Sequence, residues 1–198
     1  DGSPGGNNRW VRFYLYLVTA PASGDEQILN FLAATGTTVK AEVRLNSDRT
    51  LSAYDSVGGS AGTTSTALSL LTWYLVEVFC DSSTTTGDVY VKINGTQEIT
   101  GTNLNTNGTG HGRVTIGKSA NLNGNTIDII VDDFAMTSDA NAIGPGQIEA
   151  MQPNANGSTM AWTAGTGGSD YQEVDEIPPA TADYVQSTGS AGDVALFD

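Results

Sequence analysis

Residues 67–99 read ALSLLTWYLVEVFCDSSTTTGDVYVKINGTQEI and contain two predicted β-strands. The first, residues 72–80, is apolar on both alternating sides, which predicts a central strand with both faces covered. The second, residues 88–93, alternates Val, Val and Ile with Asp, Tyr and Lys, so it should have one buried and one solvated face. Asn94-Gly95 follows at once, and both residues tolerate the positive φ of a tight hairpin turn. The stretch therefore predicts a packed β-scaffold.

The composition fits an all-β protein with many loops. The chain of 198 residues has 24 glycines, 15% charged residues and 38% hydrophobic residues, which argues against both a helical and a wholly disordered protein. Apolar runs at roughly 8–12-residue spacing, typical of a sandwich or barrel, predict about nine strands and no helix before residue 137. Besides the central pair, strands are predicted at residues 10–19, 27–33, 40–45, 50–54, 114–116 and 127–136.

The charge of the chain is strongly negative and unevenly distributed. The net charge is −14, all eight basic residues precede position 119, and twelve acids and no base follow position 120. Nucleic-acid binding requires a basic face, so the sequence predicts no nucleic-acid partner. No apolar run reaches the roughly 18 residues of a membrane span, so no membrane association is predicted.

The chain has one cysteine and one histidine. Cys80 lies within an apolar strand, which predicts a small buried hydrophobic residue, and no disulfide can form within the chain. His111 lies in a glycine-rich turn at residues 108–112. Nothing in the pattern pairs the two residues as a nucleophile and base, and a single histidine excludes the usual histidine-based metal sites.

The sequence divides into three predicted regions. Residues 1–8 are predicted to be a flexible linker, residues 9–143 a β-sandwich, and residues 144–198 an extended acidic arm. In the arm, isolated apolar residues are separated by Gly, Ser, Pro and acids, a pattern that cannot build a core of its own. These residues are predicted to dock on a partner: Trp162, Tyr171, Val174, Ile177, Tyr184, Leu196 and Phe197.

The order of strand motifs resembles a known fold over about residues 9–140. LTWYLVEVF, GDVYVKINGTQ, RVTIGKSA and IDIIVDDFAM (from residues 71, 87, 113 and 127) resemble the second half of a concanavalin A-like jelly roll of the laminin-G kind. RFYLYLV, ILNFLA, KAEVRL and LSAY (from residues 12, 28, 40 and 51) resemble the first half. The resemblance implies an all-β, antiparallel jelly-roll β-sandwich, a fold that hosts many functions.

The C-terminal segment carries a second resemblance. It is similar to the C-terminal segment of tailed-bacteriophage structural proteins that have a lectin-like domain, and the matching features are Pro153-Asn-x-Asn-Gly157, Trp162, Tyr171, Val174-Asp-Glu176, Pro178-Pro179 and Asp183-Tyr184. This resemblance implies a virion structural protein, such as a capsid decoration, spike or tail-associated module, that acts in particle assembly or surface adhesion. Its partners would be capsid or tail proteins and further copies of itself. The alternative is an extracellular carbohydrate-binding module of a secreted protein.

Enzymatic activity is not predicted. Glycoside hydrolases of this fold class carry their carboxylates in a Glu-x-Asp-x-x-Glu pattern on one strand, and the corresponding strand here has only Glu77. Polysaccharide lyases of similar fold use Arg, Gln or His, and Tyr on the concave sheet face, whereas His111 is predicted in a loop. The resemblances therefore imply a protein that is not an enzyme.

One binding site is predicted, for a glycan. Tyr54 and Tyr90 fall on the polar faces of their strands and are the candidate glycan-contacting aromatics. No metal site or cofactor is predicted, but hard oxygen ligands at Asp132 and Asp133 leave a structural calcium as an alternative to solvated strand-edge acids.

Overall fold

The computed structural model describes residues 7–34, 36–117 and 124–147, together with the backbone of four short strands between residues 156 and 197. The chain forms two compact units, Asp1–Ile148 and Glu149–Asp198. In the described residues every regular element is a strand, and no helix has the length and hydropathy of a membrane span.

The first unit contains two five-stranded antiparallel sheets. The order of strands is β10-β1-β6-β7-β8 in the first sheet, called sheet A, and β5-β4-β3-β2-β9 in the second, called sheet B. The ten strands are β1 (Asn8–Thr19), β2 (Asp25–Ala33), β3 (Val39–Asn46), β4 (Leu51–Asp55), β5 (Ser60–Thr63), β6 (Trp73–Asp81), β7 (Gly87–Ile93), β8 (Thr96–Leu104), β9 (His111–Ile116) and β10 (Asp128–Thr137).

The core lies between the two sheets and follows from the two-residue period of their strands. On β1, Phe13, Leu15 and Leu17 are buried, and the same alternation buries Ala41, Val43 and Leu45 on β3. The inner faces of β6 and β7 complete the same cluster. The predicted all-β antiparallel sandwich is therefore confirmed.

The central position of β6 agrees with its sequence. β6 pairs with β1 on one side and with β7 on the other, so it is the middle strand of sheet A. Its inward residues Val76, Val78 and Cys80 are in the core, and its outward Leu75 and Phe79 are also buried. An apolar residue at nearly every position is the pattern of a strand whose two faces are both covered.

Two short or polar strands were absent from the sequence prediction. β8 is mostly polar, and it forms because Asn94 and Gly95 adopt φ values of 49° and 82° and fold it back along β7. β5 lies in a stretch predicted as a loop. Gly62 lies there at φ 140°, and a Cβ atom at this position would approach Cγ2 of Ile99 to 3.2 Å, so the close approach of the two sheets requires a glycine.

Residues 138–147 cross part of the outer face of sheet A. The indole N–H of Trp10 donates to the carbonyl of Ala140 at 3.4 Å, and Nη1 of Arg12 donates to the carbonyl of Gly144 at 3.4 Å. The backbone N–H of Gly144 donates to Oε1 of Glu77 at 2.7 Å. These contacts leave Glu77 only 3% exposed although it points away from the core.

The second unit is described only as paired backbone. β11 (Asn156–Met160) pairs with β14 (Ala195–Phe197), and β12 (Trp162–Ala164) pairs with β13 (Val185–Ser187). Of the predicted docking residues, Tyr171, Val174, Ile177 and Tyr184 lie outside the described residues, as do the side chains of Trp162, Leu196 and Phe197. The extended arm and the domain boundaries stay predictions.

One exposed leucine offers a test of local backbone strain. Leu71 has a φ of 57° and is 63% exposed, and its N–H donates to the carbonyl of Leu17 at 2.8 Å. Left-handed backbone is unfavourable for a residue with a Cβ atom, and glycine removes that cost while keeping the hydrogen bond. Leu71→Gly should therefore raise the free energy of unfolding by about 0.5–1 kcal/mol, measured by denaturant titration.

The adjacent Leu70 supplies the matched control. It is also exposed, at 43%, but its φ is not positive. Leu70→Gly should lower the free energy of unfolding by about 0.5–1 kcal/mol, because glycine adds only unfolded-state entropy there. Equal changes in the two variants would contradict the strain at Leu71.

Candidate functional site

The outer face of sheet B carries a group of interacting polar side chains, called here the polar cluster: Asp25, Gln27, Glu42, Arg44 and Tyr54. Their positions follow from the alternation of β2, β3 and β4, whose intervening residues fill the core. In register, Gln27 lies opposite Arg44, and Glu42 lies opposite Tyr54. Gln27 and Glu42 are 6% and 8% exposed although they face away from the core.

Arg44 is at the centre of the polar cluster. Its Nε donates to Oε1 of Glu42 at 2.6 Å, its Nη2 donates to the same oxygen, and its Nη1 donates to Oδ2 of Asp25 at 3.3 Å. Burial would lower the pKa of Arg44, but its hydrogen bonds to Glu42 and Asp25 prevail, and the pKa is raised. Two carboxylates thus hold one guanidinium in a fixed plane.

Gln27 and Tyr54 make further contacts with Glu42 and Arg44. Nε2 of Gln27 donates to Oε2 of Glu42, so both oxygens of that carboxylate accept hydrogen bonds. The guanidinium carbon of Arg44 lies 4.3 Å from the ring centroid of Tyr54, a cation–π contact. Tyr54 is half-buried under this contact. Hydrogen bonds and a cation–π contact therefore link the side chains of the polar cluster to one another.

Further polar groups extend the same sheet. Nδ2 of Asn30 donates to Oγ1 of Thr115 at 3.2 Å, across the β2–β9 pair. The hydroxyls of Ser52 and Thr63 are hydrogen-bonded at 2.8 Å, across the β4–β5 pair. Polar side chains therefore line the outward side of all five strands of sheet B.

The two candidate glycan-binding tyrosines lie on opposite sides of the sandwich. Tyr90 is on the outer face of sheet A, where its ring stacks on Phe79 with centroids 5.2 Å apart. Its hydroxyl donates to Oδ2 of Asp88 at 2.7 Å, and this bond, with burial, raises the pKa of Tyr90 to about 12. Because Tyr54 belongs to sheet B, the two tyrosines cannot form one site.

His111 and Cys80 are neighbours in the core but do not form a catalytic pair. His111 begins β9, where the sequence predicted a turn, and is 3% exposed. Its Nε2 lies 3.0 Å from the carbonyl oxygen of Cys80 and 3.2 Å from that of Asn7, so Nε2 must carry the proton. Burial raises the pKa of the Cys80 thiol. The thiol is inert, and its predicted role as a small core residue fits its position.

The acids of β10 lie at a bulge in the strand. Between Arg12 and Tyr14 the register of β1 against β10 shifts, and Asp133 adopts a φ of 50°. Oδ1 of Asp132 accepts the N–H of Asp133, and Arg12 donates to the carbonyl of Asp133 at 3.1 Å. Within the described part of the chain, no three His, Cys, Asp or Glu side chains gather as metal ligands. The calcium site stays an untested alternative.

An apolar cleft lies where the edge strands of the two sheets approach each other. It has a volume of about 420 Å³ and is lined mainly by aliphatic and aromatic carbon. Such a lining offers few hydrogen-bond partners to a sugar. The lining residues are Val114, Ile116, Gly117, Ile129, Val131 and Phe134.

Comparison with solved structures identifies the fold. The chain is similar to cellulose induced protein, Cip1, with a TM-score of 0.54, 18% sequence identity and 72% of each chain covered. The fold is a concanavalin A-like jelly-roll β-sandwich. A second match is a Trypanosoma rangeli sialidase, with a TM-score of 0.48, 13% identity, and 67% of this chain and 21% of the sialidase covered. A third is alginate lyase A1-II', with a TM-score of 0.48, 14% identity, and 69% of this chain and 65% of the lyase covered.

Sequence comparisons give no family for this concanavalin A-like domain. No family model matches the chain, and no curated protein matches it. A likeness at 18% identity shows a shared fold, and this fold hosts many functions. None of the comparisons supports the bacteriophage resemblance of the C-terminal segment.

The comparisons contradict the prediction that the chain is not an enzyme. The matched structures include two enzymes, the sialidase and the alginate lyase. At 13% and 14% identity these matches show a shared fold alone and assign no reaction to this chain. The sequence argument could not exclude activity, because it tested one carboxylate pattern along one strand and the residues of one lyase type.

The sequence contained an unused signal for the polar cluster. Residues 40–45 alternate charged with apolar residues, which predicts one charged face that holds Glu42 and Arg44. Strand β2 carries the other outward residues of the polar cluster, Asp25 and Gln27. Only the pairing of β2 with β3 shows that these two faces are one surface.

The buried state of His111 predicts a pH-dependent stability. Burial, with the charges of Lys40 and Arg9, lowers the pKa of His111 to about 4. The unfolded chain, with an ordinary histidine pKa near ~6.5, binds this proton first as the pH falls. The contribution of neutral His111 to the free energy of unfolding is therefore fully present above ~pH 6.5 and is lost as the pH falls toward 4. Lowering the pH from 7.5 to 5 should reduce the free energy of unfolding by about 2 kcal/mol. Denaturant titration at the two pH values measures this loss.

His111→Gln is the control for this titration, because an amide can still donate to the two carbonyls. The chain has no other histidine, so the variant should lose most of the pH dependence between 7.5 and 5. If wild type and variant had the same dependence, titration of His111 would not be its cause.

Proposed function

We propose that residues 7–147 form a carbohydrate-binding domain whose glycan lies across the outer face of sheet B. The observation that carries the proposal is the polar cluster, which is partly buried and hydrogen-bonded together on a sheet face that points away from the core. A side chain that serves only solubility has no need of such fixed geometry. Side chains ordered in advance reduce the entropy that binding would otherwise cost.

The chemistry of the polar cluster suits sugar hydroxyls. A guanidinium has five N–H donors in one plane, and the three contacts of Arg44 with Glu42 and Asp25 use three of them. The remaining donors of Arg44 and the exposed hydroxyl of Thr63 can bond to sugar oxygens. The half-buried ring of Tyr54 offers carbon surface for the C–H face of a sugar ring.

The fold adds support without fixing the ligand. A concanavalin A-like sandwich places a broad sheet face at the surface, and a linear glycan needs an elongated surface. The name of the matched Cip1 refers to cellulose, which makes β-linked glucans a reasonable first ligand to test.

Exchanging each candidate tyrosine tests the location of the site. Tyr54→Ala should weaken glycan binding about tenfold, because it removes the ring from the polar cluster and leaves Arg44 less ordered. Tyr90→Ala should leave the affinity unchanged, because Tyr90 lies on the opposite sheet. Glycan-array screening of the whole chain, followed by calorimetric titration with the best hit, measures both.

Two results would contradict the proposal. One is an array without any bound glycan, and the other is an equal loss of affinity in both variants. Thermal unfolding of each variant establishes that it is folded, and mass spectrometry of the incubated glycan reveals any turnover.

The virion role predicted from the sequence is a separate proposal. Its motivation is the C-terminal resemblance and the spaced apolar residues of residues 144–198. Its test is particle assembly: if a chain ending at Gln147 assembled on particles as well as the whole chain, the docking role of that segment would fail.

A further inference from the structure

We infer that the polar cluster selects uncharged glycans and disfavours uronic-acid-containing ones. This inference rests on the proposed function and specifies the ligand class of the same site. An isolated arginine on a binding face would favour the opposite class, because guanidinium and carboxylate form paired, charge-assisted hydrogen bonds.

The contacts of Arg44 carry the inference. Each of its three nitrogens already contacts a carboxylate oxygen, Nε and Nη2 on Glu42 and Nη1 on Asp25. The two N–H bonds beyond these contacts can reach the hydroxyl of a neutral sugar. A ligand carboxylate in the same place would come close to Glu42 and Asp25, and like charges at such short range repel.

Two other basic residues of sheet B do not offset this arrangement. Arg113 lies opposite Leu32, five residues along β2 from Gln27, a separation of roughly 16 Å along the strand. That separation exceeds the Debye length of about 8 Å at physiological ionic strength. Lys40, on β3, is buried and donates to the backbone carbonyls of Asn107 and Thr109.

The compensating carboxylates are held in place by further bonds, so a ligand cannot easily displace them. Glu42 is 8% exposed and also accepts from Gln27. Displacing it would break the hydrogen bonds that Glu42 accepts from Gln27 and Arg44, and breaking buried bonds is more costly than losing an exposed contact.

The decisive experiment compares matched hexasaccharides. The whole chain is titrated with neutral cellohexaose, xylohexaose and mannohexaose and with hexamers of mannuronate, guluronate and glucuronate. The best neutral hexamer should bind at least about tenfold more tightly than the best acidic one. Removing one compensating charge in Glu42→Gln should raise the affinity for the acidic hexamers about tenfold, and added salt should reduce this gain.

Two further variants separate this effect from alternatives. Asp25→Asn removes the other carboxylate and should shift the preference in the same direction. Asp128→Asn makes the same change of net charge on exposed β10 of sheet A and should change nothing. Each variant is first shown to be folded by its thermal transition.

The possible failures are distinguishable. If no hexamer binds, the proposed function fails and the inference fails with it. If acidic hexamers bind wild type more tightly than neutral ones, the glycan site stands and the inference is overturned. Equal effects of Glu42→Gln and Asp128→Asn would also overturn it, because overall charge would then explain the preference.

Discussion

The burial of one face of each sheet is the constraint on which the rest of the structure depends. Phe13, Phe31 and Leu45 are completely or almost completely buried, and they come from three strands in two sheets. A shift of any strand by one residue would turn its apolar side chains to solvent and its polar ones into the core. Burial therefore fixes the register, and the register fixes which polar residues meet on the outside.

The outer faces of the two sheets carry different kinds of side-chain contact. On sheet A, the chain itself covers part of the face, and the side chains there mainly pack: Trp10 lies 5.1 Å from Phe79, and Tyr90 stacks on the same ring. On sheet B, the outward groups bond one another through Arg44. On the outer face of sheet A, aromatic rings pack against one another. On the outer face of sheet B, charged and polar side chains are hydrogen-bonded to one another.

Much of the fold could be predicted from the sequence because period-two alternation is a local property. The stretch at residues 72–93 showed a central strand, its neighbour and the following turn, and all three are present. Strand β8 could not be predicted, because a mostly polar strand is held by its hairpin partner rather than by its own apolar residues. Propensity alone is a weak guide in such a strand.

The candidate site was predictable only in its parts. Tyr54 was recognised as an outward aromatic, but nothing local relates Asp25 to Arg44, which are 19 residues apart in sequence. Tyr90 appeared equivalent to Tyr54, since both alternate with apolar residues, yet the two strands belong to different sheets. Assignment of a strand to a sheet depends on long-range pairing, which a single strand's pattern does not contain.

Residues 138–147 also determine where the chain can be divided. Gly144 supplies both the N–H that Glu77 accepts and the carbonyl to which Arg12 donates. A chain cut ahead of Ala140 would uncover the carboxylate of Glu77, the guanidinium of Arg12 and the indole of Trp10 on one surface. Newly exposed aromatic and charged groups of this kind promote non-specific association. Binding by a shortened protein would thus include non-specific association that the intact molecule does not show.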